Sequence, residues 1–463
     1  MRIKALYSLL FFLICNLSGY AQQSLTLKDA LETAINNYPS IRAKANYIKA
    51  STASAAEAKR EALPNLIVSG QQDFGTANGQ SGPLYSFGYA VASSGVPESK
   101  QNWQAAFGAL YLANVNWDFF AFGRAKERVK AAQSYISRDT SDREQELFEQ
   151  QVRVAAAYLN LLAAQRLTRS EQFNLDRADT LKNVVTARAK NGLIAGVDSS
   201  LANAEVSNAK TILTNAKDAE QERASQLATL LGIPQVDFLL DTFFISKMPS
   251  SFTNTIVTLH PLLKYYNSRI DVSDAQLKYI NTLKYPAFSL FGVFQTRGSG
   301  FSSDYSTNPA GHDLGYFNGI SPDRINYLFG VGVTWNITSL SRVKQQVAAQ
   351  SYISKGLKDE FDLVNLQLKA QQLLAEKKIT NAISNFNEAP IQVQSATDAF
   401  QQKTVLYRNG LTDIIDVTQT LYTLNRAETN RDIAFSNVWQ SLLLKAASLG
   451  NFQLFINAVA PSN

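Results

Sequence analysis

Two aspartates occupy matching places after two copies of one turn. Asp198 follows Asn191-Gly192-Leu193, and Asp416 follows Asn409-Gly410-Leu411, with counterparts 218 residues apart. A carboxylate there lies in the first turn of a helix, where the positive end of the helix dipole favours it by some tenths of a kcal/mol. The residues that would make an enzyme are missing. His260 and His312 are the only histidines, neither has a ligand cluster beside it, and both read as turn or loop residues. The chain has no Gly-x-Ser-x-Gly elbow, no phosphate-cradling loop ending in Gly-Lys and no zinc spacing. Its paired carboxylates are those of any charged helix, and nothing marks them as an acid/base pair. No catalytic residue, cofactor or metal ligand is therefore assigned.

The turns belong to a larger duplication. Leu231-Gly232 returns as Leu449-Gly450 at the same offset, the heptapeptide Ala131 to Ser137 returns unchanged at Ala348 to Ser354, and Trp117 and Arg124 return as Trp335 and Arg342. Pro39, Pro64 and Gly70 map onto Pro261, Pro286 and Gly292 at an offset of 222. The order of elements is duplicated, which describes one fold with internal pseudo-twofold symmetry. The expected division is a signal peptide over 1–21, a first repeat over 22–240, a second over 241–450, and a C-terminal tail over 451–463.

The opening segment has Arg2 and Lys4, an apolar run from Leu9 to Cys15, and a small-x-small site at Gly19-Tyr20-Ala21, the pattern of a secretory signal. Cys15 suggests lipidation, but the bulky Ile14 before it suits that processing poorly. Removing residues 1–21 takes away Arg2, Lys4 and the only cysteine, lowering the net charge from +6 to +4. A mature chain without cysteine has no disulfide framework and no thiolate metal site. So small a charge on an exported chain gives no reason to expect nucleic acid. No mature segment offers about 18 consecutive apolar residues, which excludes a transmembrane helix.

Glycine punctuates the chain. Sixteen of the 23 glycines fall in the windows Gly70–Gly123 and Gly292–Gly332, whereas the 68 residues from Arg124 to Asn191 contain neither Gly nor Pro. Those 68 are rich in good helix formers, and an unbroken helix of that length would measure roughly 100 Å. The copy, Ser341 to Asn409, contains Gly356 and Pro390, so a kink or break is expected near Pro390. The Asn-Gly turns would reverse each long helix into a return helix begun by Leu193 or Leu411, giving helical hairpins over about 122–232 and 340–449. Ile414, Val417, Leu421 and Leu424 step by 3, 4 and 3, the spacing of a packing seam.

The glycine-rich windows read as strands, about 65–75, 102–119, 286–296 and 326–338. From Asn326 to Ile337 the alternation is strict: Tyr327, Phe329, Val331, Val333, Trp335 and Ile337 oppose Asn326, Leu328, Gly330, Gly332, Thr334 and Asn336. Such strands match those of a membrane barrel, apolar towards lipid and wet inside; the alternative is a pair of hairpins in a soluble sandwich. Gly75–Gln101 and Arg297–Arg324 would be long exposed loops. Four strands cannot close a barrel, and open edges cannot sit in lipid, so membrane strands would oblige several chains to pool them.

These residues resemble the TolC-like outer membrane efflux proteins of Gram-negative bacteria, from about Leu25 to Gly450. The markers are Leu27-Lys28-Asp29-Ala30-Leu31 through Asn36-Asn37-Tyr38-Pro39, Ala62-Leu63-Pro64 before the first strand, the twin Asn-Gly-Leu turns with their aspartates, and the two terminal Leu-Gly pairs. The resemblance implies an α+β membrane protein. It would be a homotrimer whose four strands per chain form a twelve-stranded outer-membrane barrel, continued by a long antiparallel α-helical tunnel in the periplasm. It also implies a periplasmic adaptor (membrane fusion) protein and an inner-membrane pump of the RND or ABC type as partners, for efflux or type I secretion. It places Asp416 at the constricted periplasmic mouth, as one of a ring of three, with Asp198 and Tyr407 beside it as candidate gate residues. Asn191, Gly192, Asn409 and Gly410 form the hairpin turns. Two positions depart from the family's pattern: Gln419 stands where a second aspartate is known, and Thr412 where an arginine is known. The rival readings are a periplasmic coiled-coil scaffold without a barrel and a nutrient porin; long helices free of Gly and Pro argue against the porin.

Overall fold

The computed structural model describes residues 24–79, 96–97, 100–235, 237–241, 243–249 and 259–459. The expected signal peptide, 1–21, lies outside them, as does most of the loop expected over Gly75–Gln101. The elements run α1 (Leu27–Asn37), α2 (Pro39–Arg60), β1 (Asn65–Thr76), β2 (Ala105–Phe120), α3 (Arg124–Lys190), α4 (Gly196–Leu231), α5 (Phe243–Ser246), α6 (Pro261–Thr282), β3 (Ala287–Ser299), α7 (Tyr316–Ile320), β4 (Arg324–Thr334), α8 (Ser339–Arg408), α9 (Ile414–Leu449) and α10 (Phe452–Val459). They fall into two compact units. One holds the described residues up to Ile48 with Arg138–Arg269 and the chain from Leu357 onward; the other holds Lys49–Ser137 and Ile270–Gly356. Each unit therefore takes segments from both repeats.

The second unit is built on an antiparallel sheet in the order β1-β2-β3-β4. β1 and β4 are edges. Close packing across the sheet depends on glycine: a Cβ on Gly292 would come within 2.9 Å of the Phe329 ring, and one on Gly330 within 2.5 Å of the Phe291 ring. The sequence duplication reappears in hydrogen bonds. The Trp117 indole donates to the Ala62 carbonyl at 2.9 Å, and its counterpart Trp335 donates to the Lys284 carbonyl at 3.1 Å. Along β4, Ile325, Tyr327, Phe329, Val331 and Val333 are all at least 60% exposed. The alternation was expected to continue through Trp335 and Ile337, but β4 ends at Thr334. There Asn336 takes over, accepting from the backbone N–H of Ser339 at 3.1 Å and turning the chain into α8.

The first unit carries the larger core. Trp439, Tyr158 and Phe455 are each fully buried, with Leu161, Leu227, Leu231 and Leu442 around them. Phe244 meets Trp439 edge-on with centroids 4.9 Å apart. The Tyr158 hydroxyl donates to the Leu25 carbonyl at 2.8 Å and accepts from the Asp241 N–H at 3.2 Å, tying together the isolated bridge between Leu25 and Leu240. The residues expected to be a C-terminal tail instead contribute α10, whose Phe452, Leu454 and Phe455 enter this core.

Local signals explain the helix ends. Thr26 caps α1, accepting from the Asp29 N–H at 3.2 Å, and Pro39 opens α2, where its missing N–H has no helical partner to lose. Gly232 and Gly450 end α4 and α9 in the left-handed conformation. The break expected at Pro390 does not occur: α8 runs unbroken from Ser339 to Arg408 with the proline inside it. Pro390 is on the exposed side while its neighbour Ala389 is buried, so the ring costs one backbone hydrogen bond without disturbing the packed face.

No described helix is long and apolar enough to cross a membrane.

Candidate functional site at the hairpin ends

The Asn-Gly turns reverse the two long helices by one mechanism. Gly192 and Gly410 take φ of 70° and 75°, a region that favours glycine. The N–H of Leu193 reaches back to the Arg188 carbonyl at 3.0 Å, and that of Leu411 to the Leu406 carbonyl at 2.9 Å. This is the bond pattern of a Schellman helix end. It places Leu193 and Leu411 outside the helices they were expected to start, so α4 and α9 begin three residues later, at Gly196 and Ile414. Asn409 also turns its own amide onto the Val405 carbonyl at 3.0 Å. Asn191 supplies only its backbone, its N–H donating to the Ala187 carbonyl at 3.2 Å.

The two hairpin ends pack on each other. Leu181, Val185, Ala202, Tyr407, Ile414 and Val417 form one buried cluster. The seam spacing is realised, since Ile414, Val417, Leu421 and Leu424 are all buried. Tyr407 is only 3% exposed, and its hydroxyl has no hydrogen-bond partner. Burial pushes its phenol up; the negative charge of Asp198 adds to this and the Arg188 guanidinium opposes it. A groove of about 330 Å³ opens beside it, walled by Phe173, Leu181, Phe400, Thr404, Tyr407 and Arg408.

The aspartates have different surroundings. Asp198 lies in the first turn of α4, its N–H bonded to the Ala195 carbonyl at 3.2 Å, and Ala195 offers no side-chain cap. Asp416 lies in the first turn of α9, where the Asp413 carboxylate caps the helix by accepting from the Asp416 N–H at 2.9 Å. Asp416 Oδ2 accepts from Lys403 Nζ at 2.5 Å and from Thr412 Oγ1 at 2.7 Å. The hydrogen bond from Lys403, then that from Thr412 and the lysine's charge, hold its carboxyl below the usual carboxylate range. Gln419 is exposed, on the same helix.

Two side chains absent from the sequence reading organise the site. Arg188 spans the two repeats: one guanidinium nitrogen donates to the Tyr407 carbonyl at 2.7 Å and the Arg408 carbonyl at 2.6 Å, with the group 5.3 Å from the centre of the Tyr407 ring. It thereby satisfies the Arg408 carbonyl and adds a second donor to the Tyr407 carbonyl, which already accepts the Gly410 N–H at 3.0 Å. Lys403 is the other. The available signals were positional: Arg188 lies one helical turn before Asn191-Gly192, and Lys403 and Asp416 lie six residues either side of Asn409-Gly410.

Behind the ends, polar pairs cross-link the helices. Arg177 grips Glu428 with two nitrogens at 2.7 and 3.2 Å, Asn425 donates to the buried Glu171 at 3.1 Å, and Tyr422 donates to Glu205. No group of three or more His, Cys, Asp or Glu residues with metal-binding spacing exists among the described residues.

An antiparallel four-stranded sheet and two long helical hairpins in one chain are also the fold of solved outer-membrane channels. Residues 30–233 match the family model described as outer membrane efflux protein. No curated protein sequence matches the chain. Among solved structures, VceC from Vibrio cholerae superposes with a TM-score of 0.72 at 16% identity, covering 92% of this chain and 96% of that one. CusC, in structures that followed its folding and transmembrane channel formation, gives 0.73 at 13%, covering 94% of each chain. The open-state MtrE channel of Neisseria gonorrhoeae gives 0.69 at 14%, covering 92% and 89%. Residues 30–233 thus carry the similarity to outer membrane efflux proteins, and the chain as a whole shares the fold of these outer-membrane channels.

Proposed function

We propose that this protein is the outer-membrane exit duct of a tripartite efflux or type I secretion system. The observation that carries the reading is the open sheet: its two edges are unpaired and β4 exposes Ile325, Tyr327, Phe329, Val331 and Val333 on one face. In lipid an apolar strand face is satisfied, but an open edge is not. Three chains pooling four strands each close a twelve-stranded barrel and leave no edge, while their helical hairpins wall a tunnel through the periplasm. The fold shared with outer-membrane channels and the family match over residues 30–233 support the same assembly.

The duct is passive. Its inner end is held shut at the hairpin ends, with Tyr407, Asp198 and Asp416 at the gate and the turns Asn191-Gly192 and Asn409-Gly410 as its tips. A periplasmic adaptor, packing its own hairpins into grooves such as the one beside Tyr407, would draw the return helices apart, and an inner-membrane pump would supply the energy. The test is conductance of the purified protein in planar bilayers. Asp416→Ala should raise the single-channel conductance or weaken block by multivalent cations. Unchanged conductance and block would remove Asp416 from the gate, and release of the native protein by osmotic shock would favour the scaffold reading instead.

A further inference from the structure

The turns are copies in sequence but not in charge. At the positions matching Lys403, Thr412 and Asp413 the first repeat has Val185, Ile194 and Ala195. Val185 is fully buried in the cluster between the hairpin ends, so the first turn places an apolar side chain where the second places an ammonium group. Among the described residues Asp198 is paired with no cation, whereas Asp416 is held by Lys403 at 2.5 Å and by Thr412 at 2.7 Å. The Asp413 cap fixes the Asp416 backbone as well, so the carboxylate is constrained from both sides. The Lys403 and Asp416 side chains keep 38% and 46% of their surfaces exposed, which lets the pair act on passing ions.

We infer that Lys403 sets the charge selectivity of the duct's mouth, by neutralising Asp416 and leaving Asp198 and Asp413 as the carboxylates there that, among the described residues, no cation pairs. The inference rests on the proposed placement of the hairpin ends at the mouth. With threefold symmetry, a ring of three aspartates becomes a ring of three ion pairs, whose field cancels over a few ångströms, far less than the roughly 8 Å over which salt screens a bare charge at physiological ionic strength. A mouth carrying free aspartates would prefer and bind cations; one carrying these pairs prefers them only as far as Asp198 and Asp413 allow. Because exposed pairs of this kind add little to stability, the lysine can be replaced without loss of the fold.

The experiment is the reversal potential of single channels under a KCl gradient, for the whole protein and four variants. Lys403→Gln should raise the potassium-to-chloride permeability ratio by about threefold or more and strengthen block by trivalent cations, because each subunit then exposes an uncompensated Asp416 charge. Asp416→Asn should move the ratio towards chloride, since Lys403 is then unpaired. The double variant should return near the parent, and Lys403→Arg should match it. Channels that open in every variant with one common permeability ratio would overturn the role of Lys403 while leaving the duct reading intact. A parent protein that forms no channels would overturn both.

Discussion

Arg188 and Tyr407 belong to different repeats, yet the guanidinium of one holds the main-chain carbonyl of the other at 2.7 Å and faces its ring. Arg188 also reaches the Arg408 carbonyl, so the end of α8 is capped by a residue of α3. The link has no symmetric twin, because the positions matching Arg188 and Tyr407 are Leu406 and Ala189. Replacing Arg188 with Ala leaves the Arg408 carbonyl to water and the Tyr407 carbonyl with the Gly410 N–H alone, and should loosen the second turn. The expected result is amide exchange about tenfold faster at Asn409 to Asp413, equivalent to about 1.4 kcal/mol of local stability. Unchanged exchange would show that the contact holds nothing in place.

Gly192 and Gly450 should both resist substitution, for a backbone reason. A Cβ on Gly192 meets nothing within 4 Å, so the cost of Gly192→Ala comes from its φ of 70° alone, about 1 kcal/mol. Gly450→Ala should cost more, since its Cβ would lie 2.8 Å from the His260 Cα in addition to the positive φ. Thermal unfolding of the two variants should rank them in that order.

His260 gives the first unit an acid-sensitive joint. Its Nδ1 accepts from the Leu262 N–H at 3.1 Å and its Nε2 lies 3.0 Å from the Ala447 carbonyl, an arrangement that requires the neutral ring with the proton on Nε2. Burial pushes its pKa below the ordinary 6.5. The folded state therefore binds this proton more weakly than the unfolded state. The stabilisation is complete above about pH 6.5 and is lost as pH falls through the lower folded value. Melting temperature measured between pH 7.5 and 5 should fall for the parent and fall less for His260→Gln; parallel curves would remove His260 from the effect.

Trp439 joins α9 to Phe243, Phe244 and Phe455, and its indole donates to the Lys247 carbonyl at 3.2 Å. Trp439→Ala should cost about 3–5 kcal/mol and leave a donor-stripped cavity. Trp439→Phe should cost less than Ala, keeping most of the packing and losing the hydrogen bond. Denaturant unfolding that failed to separate the two would contradict the packing account.

The sequence was most legible where one spacing dominates. Strict alternation marked Tyr327 to Val333 as a strand, a run free of Gly and Pro marked α3, and the 218-residue offset placed both turns. It misled where local chemistry competes with a pattern. Pro390 reads as a break but sits on the exposed side of a helix long enough to absorb it. Leu193 and Leu411 read as helix starts but are the residues whose N–H groups close the Schellman ends. At the candidate site the aspartates and Tyr407 drew notice, while Arg188 and Lys403 did not. Their roles depend on which residues a turn or a second hairpin brings opposite them, and a basic residue on a charged helix carries no mark of that by itself.

The central claim is that one chain is an incomplete wall. The most direct measurement is the mass of the purified protein particle, once in mild detergent and once in detergent-free buffer. The account predicts three chains per particle in detergent and no stable dispersed form without it. A monodisperse single-chain particle in detergent-free buffer would contradict it.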